Sequence, residues 1–217
     1  MKKSFLLPII LLVISLMMMS CGKGTTHVSG TVFEKGSNKP VANASVIFSE
    51  CVPGDGTGAS AICIDVETVV TNAQGEYVFE KDSGNATEYR IRAEKRNYGK
   101  PTEVFQTASA GKCTENINFT LPAFAWIKFH VKNVNPFDDS DYIAAPGALN
   151  YADEYYFFGK NVDKYYVLGN KYVGNSYFVG NSLAEFYWNV SKNGITKKYK
   201  DSIFIKALDT LNYEIKY

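Results

Sequence analysis

From residue 27 onward, apolar and polar side chains alternate with a period of two, and no stretch repeats at the 3.6 residues of a helix. In an extended chain successive side chains point to opposite faces, so this pattern commits the sequence to strands with one face buried. Val28, Gly30 and Val32 share a face. Val41 to Phe48 leads into a second strand. Cys63-Ile-Asp-Val-Glu-Thr-Val-Val-Thr71 shows the cleanest alternation, and Tyr89-Arg-Ile91-Arg-Ala93-Glu, Thr102 to Gln106 and Glu115-Asn-Ile117-Asn-Phe119 repeat it. Between them lie turns of suitable chemistry. Lys35-Gly-Ser-Asn-Lys-Pro40 combines flexible glycine and asparagine with a fixed proline, and Asn72-Ala-Gln-Gly75 predicts a tight hairpin. Short strands at this spacing predict a β-sandwich rather than a helical or mixed fold.

The pattern changes in texture after Pro122-Ala-Phe-Ala125. Twelve of the 15 tyrosines follow that point, in runs such as Glu154-Tyr-Tyr-Phe-Phe158 and Asp163-Lys-Tyr-Tyr-Val167. Aromatic residues suit pleated, half-buried surfaces. Strands are predicted at Trp126–Val134, Leu183–Val190, Ile195–Tyr199, Ser202–Lys206 and Leu211–Tyr217, with Asn181-Ser182 and Lys192-Asn193-Gly194 as turns. The expected architecture is therefore all-β: a first sandwich over 27–121 and a second, tyrosine-rich sandwich over 122–217.

The first 20 residues read differently. A basic Met1-Lys2-Lys3 precedes an almost wholly apolar run from Phe5 to Met19, shorter than the ~20 residues a transmembrane helix needs but suited to a signal peptide. Ser20-Cys21-Gly22 closes the run and resembles the bacterial lipoprotein signal, with methionines where leucine and alanine are usual. The resemblance implies cleavage before Cys21 and lipidation of that residue, with 21–26 as a short tether to the membrane. Several acyl chains make a durable anchor where one does not. Gly22 to His27 carries none of the acidic residues that mark surface export in Bacteroidetes lipoproteins, which favours the periplasmic side of the outer membrane.

Cysteine use fits an oxidising compartment. With Cys21 taken by lipid, Cys51, Cys63 and Cys113 remain. Cys51 and Cys63 bracket a glycine-rich loop between two strand-like runs, and a bond there would stabilise mainly by restricting the unfolded chain. That pairing is preferred. Bonding of either residue to Cys113 stays open, because spacing alone does not fix connectivity.

Four segments carry a further resemblance: Val28-Ser-Gly30-Thr-Val32, Lys39-Pro40-Val41-Ala-Asn-Ala44-Ser-Val46, Thr71-Asn-Ala-Gln-Gly75-Glu-Tyr77-Val-Phe79 and Tyr89-Arg-Ile-Arg-Ala. Together they resemble the carboxypeptidase regulatory-like domain, which implies a transthyretin-like sandwich of about seven strands, mostly non-catalytic. Gly30 then permits close approach of a neighbour, Ala44 fits beneath the opposite sheet, and Gly75 takes a positive φ. The departures are the insertion at 52–62 and Asn97-Tyr98-Gly99.

Little in the chain points to catalysis. Removing residues 1–20 takes away Lys2 and Lys3, leaving 21 basic against 22 acidic residues, so no basic field exists for nucleic acid. With two histidines, His27 and His130, and no Cys-x-x-Cys, a zinc site is not expected. Asp138-Asp139-Ser140-Asp141 offers carboxylates to a hard cation but lacks the glycine and spacing of a calcium loop, so it reads as a solvated acidic turn. Ser109-Ala-Gly-Lys112 matches Ser-x-x-Lys without its partner motifs. No catalytic, cofactor-binding or metal-ligating residue is assigned. Trp188, Tyr187, Tyr156 and Tyr166 are candidates for an aromatic platform that stacks on sugars or docks a protein. Asp201-Ser202-Ile203 and Asp209-Thr210-Leu211 resemble the O-glycosylation acceptor of Bacteroidetes, naming Ser202 and Thr210. The expected role is a non-catalytic accessory lipoprotein of the outer membrane with an envelope protein as partner; the alternative is a glycan-binding lipoprotein of a nutrient-uptake system.

Overall fold

The computed structural model describes residues 24–54, 61–101, 103–146, 155–169 and 178–217. The lipidation motif at Cys21 lies outside them. All regular structure among the described residues is β. The strands are β1 (Thr25–Glu34), β2 (Ser45–Val52), β3 (Ile62–Val70), β4 (Glu76–Asp82), β5 (Glu88–Glu94), β6 (Gln106–Ser109), β7 (Cys113–Thr114), β8 (Phe119–Leu121), β9 (Phe124–Lys132), β10 (Tyr142–Ala145), β11 (Tyr155–Phe158), β12 (Asp163–Leu168), β13 (Phe178–Val179), β14 (Ser182–Lys192), β15 (Ile195–Ile205) and β16 (Thr210–Lys216). They form four four-stranded sheets, two for each of two sandwiches.

The described residues divide into two compact units. One takes those within Met1–Val32, Ala42–Ala93 and Glu103–Phe119; the other takes those within Phe33–Val41, Glu94–Thr102 and Thr120–Tyr217. In the first, β4-β1-β7, with β8 also on β1, faces β3-β2-β5-β6. Phe48 from one sheet stacks on Phe79 from the other at 4.0 Å, and Tyr89 meets Phe79 edge-on. Ala44 is fully buried, as its size predicts. Gly30 is there for clearance: a Cβ would sit 1.9 Å from the Ile117 carbonyl oxygen, which accepts the Tyr77 hydroxyl at 2.6 Å. Burial pushes that Tyr77 hydroxyl well above the ordinary tyrosine range.

The structure corrects several sequence expectations in this unit. Asn72–Gly75 does form a turn, with Gly75 at φ 73° and the Asn72 side chain accepting from Gln74 and Glu76 N–H. It is not a hairpin, however, because β3 pairs with β2 and β4 with β1, so the turn carries the chain between sheets. The expected strand at Thr102–Gln106 begins only at Gln106. Asn116, at φ 62°, interrupts Glu115–Phe119 between β7 and β8. The strand with the cleanest alternation, β3, proves the most exposed. A bulge opposite Phe48 and Ser49 leaves Val66 unpaired and shifts the phase of its faces. Cys51 and Cys63 are bonded, directly across the β2–β3 pair. Cys113, in β7, is disulfide-bonded too.

The second unit packs β11-β10-β14-β15 against β12-β9-β13, with β16 parallel to β9. Ile127, Phe129 and Val131 of β9 meet Ile143 of β10 and Ala184, Phe186 and Val190 of β14 in its core. Phe129 and Phe186 pack edge-on at 5.1 Å. Ile195–Ile205 is one continuous strand rather than the two expected, paired with β14 over its whole length. Residues Asn193 (φ 49°) and Gly194 (φ 71°) make the two-residue turn between them, as the Asn-Gly signal predicts.

Candidate functional site

Strand alternation decides which aromatic residues of the second unit reach solvent. In β11, Tyr155 and Phe157 turn inward against the core, so Tyr156 and Phe158 turn outward. In β14, Ala184, Phe186 and Val190 are buried, so Leu183, Glu185 and Tyr187 lie on the opposite face. The register then sets these positions side by side. One row runs Phe158–Tyr142–Ser191–Thr196, and the next runs Tyr156–Ala144–Asn189–Lys198. Tyr187 pairs with Lys200, and Leu183 with Phe204.

The result is an aromatic outer face on β11-β10-β14-β15. Phe158 is 69% exposed, Tyr156 51% and Tyr187 48%. The Tyr156 and Phe158 rings lie 6.3 Å apart and 17° from parallel, and Tyr142 tilts against Phe158 at 5.7 Å. Ala144, opposite Tyr156, is buried. Lys200 frames the patch: its ammonium lies 5.4 Å over the Tyr187 ring and pairs with Glu185 at 3.1 Å. Flat rings with mobile charges at the margin suit stacking against a sugar face or an apolar protein surface.

Of the four platform candidates, the structure puts only Tyr156 and Tyr187 on this outer face, on strands separated by β10. Trp188 is half-buried and stacked between Phe186 and Tyr199. Tyr166 packs on Phe129 and Tyr155 and donates to the Pro146 carbonyl at 3.1 Å, with burial pushing its hydroxyl far up. Both therefore belong to the interior. Phe158 and Tyr142 were missed, although the same alternation that selects Tyr156 also selects Phe158 two residues on.

The remaining candidates are dispersed. Ser202 and Thr210 are exposed, and the N–H of each donates to the side chain of the preceding aspartate, Asp201 at 2.7 Å and Asp209 at 2.8 Å. Asp201 also accepts from Tyr213, whose hydroxyl is pushed up to about 12 by burial and by that carboxylate. His130 stacks on Tyr165 and contacts Asp163 at 2.8 Å and Glu214 at 3.4 Å. The aspartate cluster is not a solvated turn throughout. Asp138 accepts from Ser140, Asp139 pairs with Lys160, and Asp141 is fully buried. Among the described residues no three His, Cys, Asp or Glu side chains converge to hold a metal ion.

No protein-family model matches the chain, and no curated protein matches its sequence. Solved structures with a similar course include the Bacillus anthracis TIE protein, 11% identical at a TM-score of 0.37, over 88% of this chain and 34% of that one. A streptococcal ancillary pilin is 11% identical at 0.38, over 89% and 62%. The shaft pilin SpaA from Lactobacillus rhamnosus GG is 10% identical at 0.34, over 88% and 97%. This chain thus spans about a third of the first and under two thirds of the second. Likeness at such TM-scores transfers neither activity nor partner to this chain.

Proposed function

We propose that this protein is a non-catalytic, lipid-anchored accessory protein of the bacterial outer membrane, facing the periplasm and holding an envelope protein through the aromatic face of β11-β10-β14-β15. The observation that carries the reading is the exposed, near-parallel pair Tyr156 and Phe158 beside Tyr142, with Tyr187 exposed on the same face. Aromatic side chains give large contact area at low entropic cost and dominate protein interfaces. The first sandwich, in this reading, is a carboxypeptidase regulatory-like spacer between the anchor and that face.

Two experiments test it. Mild crosslinking of the native protein in its envelope, followed by purification and mass spectrometry, is expected to recover one or two outer-membrane proteins in stoichiometric yield. The triple variant Tyr156→Ser, Phe158→Ser, Tyr187→Ser loses them; equal recovery with the variant overturns the assigned face. For the anchor, labelled fatty acid is incorporated by the parent protein and not by Cys21→Ala. Glycan binding is the second reading, favoured by the exposed, near-parallel Tyr156 and Phe158 rings, which suit stacking on a sugar face. Retention on a glycan array that disappears in the same triple variant, with no protein partner recovered, selects it. Ser202 and Thr210 are the acceptor sites if the chain is O-glycosylated, and both are exposed enough to be reached.

A further inference from the structure

At one end of the second sandwich, where β9 and β14 terminate, three side chains form a polar chain, with Asn133 between Lys192 and Asp141. The Asn133 carboxamide is buried; its oxygen accepts from Lys192 Nζ at 2.9 Å and its nitrogen donates to Asp141 Oδ2 at 3.0 Å. The orientation of the amide is fixed by chemistry, since an ammonium only donates and a carboxylate only accepts. Lys192 Nζ donates also to the Asn135 carbonyl at 2.5 Å, and its charge lies 5.0 Å from the centre of the Tyr217 ring. Asp141 Oδ2 takes a second bond from Phe137 N–H at 2.8 Å. Its other oxygen, Oδ1, is buried with no hydrogen-bond partner, and so is the Tyr217 hydroxyl. A buried carboxylate oxygen without a donor is costly and calls for an explanation.

We propose that Lys192 and Asn133 are joined in the mature protein by an amide bond that the fold forms on itself, with Asp141 moving the protons. The Lys192 ammonium gives one proton to the Asn133 oxygen it contacts while the Asn133 nitrogen gives one to Asp141 Oδ2, because lysine and aspartate do not touch directly. The neutral amine adds to Asn133 Cγ, now the carbon of an imidic acid. Asp141 then returns its proton to the amide nitrogen that the same oxygen contacts. The Cγ–Nδ2 bond breaks, the Nζ–Cγ bond forms, and the amide nitrogen departs, ultimately as ammonium. An ammonium and a carboxamide thus become a secondary amide and an ammonium, with no oxidant, metal or nucleotide needed. Proximity of this kind substitutes for activation of the acyl group. Two features prepare the attack: Asn133 and Asp141 are buried, and Asp141 is ionised at rest. Burial pushes its carboxyl up, but the Phe137 N–H, Asn133, the Asp138 backbone and Lys192 outweigh that and hold it low.

The bond would tie β9 of one sheet to β14 of the other, across 59 residues of sequence. It does not depend on the binding role proposed above.

The test is intact mass on the full chain, purified, denatured and reduced. The expected mass is lower than that of the processed sequence by one ammonia. Peptide mapping is expected to show no tryptic cleavage after Lys192 and a branched peptide joining it to the segment containing Asn133. Lys192→Arg keeps the charge without the nucleophile, and Asp141→Asn keeps the shape without the base; both are expected to fold, by circular dichroism, and to show no ammonia loss. A folded parent protein whose mass matches its sequence overturns the proposal. Ammonia loss that persists in Lys192→Arg overturns it as well, because it then arises at an asparagine alone. Cross-linking that persists in Asp141→Asn overturns the role given to Asp141.

Discussion

The β2–β3 and β14–β15 hairpins solve one problem by different means. Each ends a four-stranded sheet with a long edge strand that is exposed along most of its length. In β14–β15 the connection is two residues, Asn193 and Gly194, both at positive φ, and the register then runs unbroken from Lys192↔Ile195 to Ser182↔Ile205. In β2–β3 the connection spans the glycine-rich insertion, which specifies no register of its own. Here the covalent Cys51–Cys63 pair holds the open end, and the Val66 bulge absorbs the extra residue. Asp65 clamps the bulge by accepting Ser49 Oγ at 2.6 Å and both Arg92 nitrogens at 2.8 and 2.6 Å. Short turns set pairing by local backbone preference, whereas long loops need a cross-link or a side-chain clamp.

The largest effect that would separate the two is loss of the disulfide. Cys51→Ala with Cys63→Ala is expected to cost about 2–4 kcal/mol. Hydrogen exchange should then rise in β2 and β3 while β14 and β15 keep their protection; uniform loss of protection would break the comparison. Gly194→Val should cost about 1–2 kcal/mol, because a β-branched residue does not accept that φ. Its effect belongs in β14–β15, read by the same exchange measurement.

Acid should act next, and the sign can be worked out. Hydrogen bonds from Arg92, then Ser49, hold the Asp65 carboxyl well below its ordinary 3.8. A depressed carboxylate contributes stability above its unfolded value, and that contribution fades as pH falls through the folded value. The β2–β3 hairpin should thus be insensitive between pH 7 and about 4 and loosen below, an effect that Arg92→Met removes. In the second unit, Glu34 follows the same rule from an ordinary 4.5. Burial raises its carboxyl, but bonds from Ser37, Asn181 and Tyr98 outweigh that. Glu34→Gln should flatten the acid limb of that unit's thermal midpoint. The smallest effect on stability is expected from Lys198→Val with Lys200→Val. Charged residues on an exposed edge strand oppose pairing with a second chain, so light scattering should show association while the melting temperature barely moves.

The turns and buried faces were legible in the sequence because they follow from local rules. Asn193-Gly194 names its own turn, Gly30 its close contact, and Cys51 and Cys63 face each other across the strands that bracket their loop. The platform was half legible. Tyr156 and Tyr187 lie on the outer face as proposed, but Trp188, directly after Tyr187, must point the other way, and β14 turns that side to the core. Tyr166 went astray for a related reason: Tyr165-Tyr166 offers two rings to two faces, and nothing in the dipeptide says which is inside.

By itself, then, the sequence determined that the chain is all-β and that it changes character near residue 122, while the Cys51–Cys63 pairing was a preference that the structure decided. Those features depend on periodicity, composition and turn chemistry, which act between near neighbours. Only the tertiary structure decided that Asn72–Gly75 leads between sheets, that Ile195–Ile205 runs as one strand, and that Asn133, Asp141 and Lys192 meet. Lys192 lies 59 residues from Asn133 and is brought to it by strand pairings that no local pattern encodes. They meet only because strands from two sheets end side by side there.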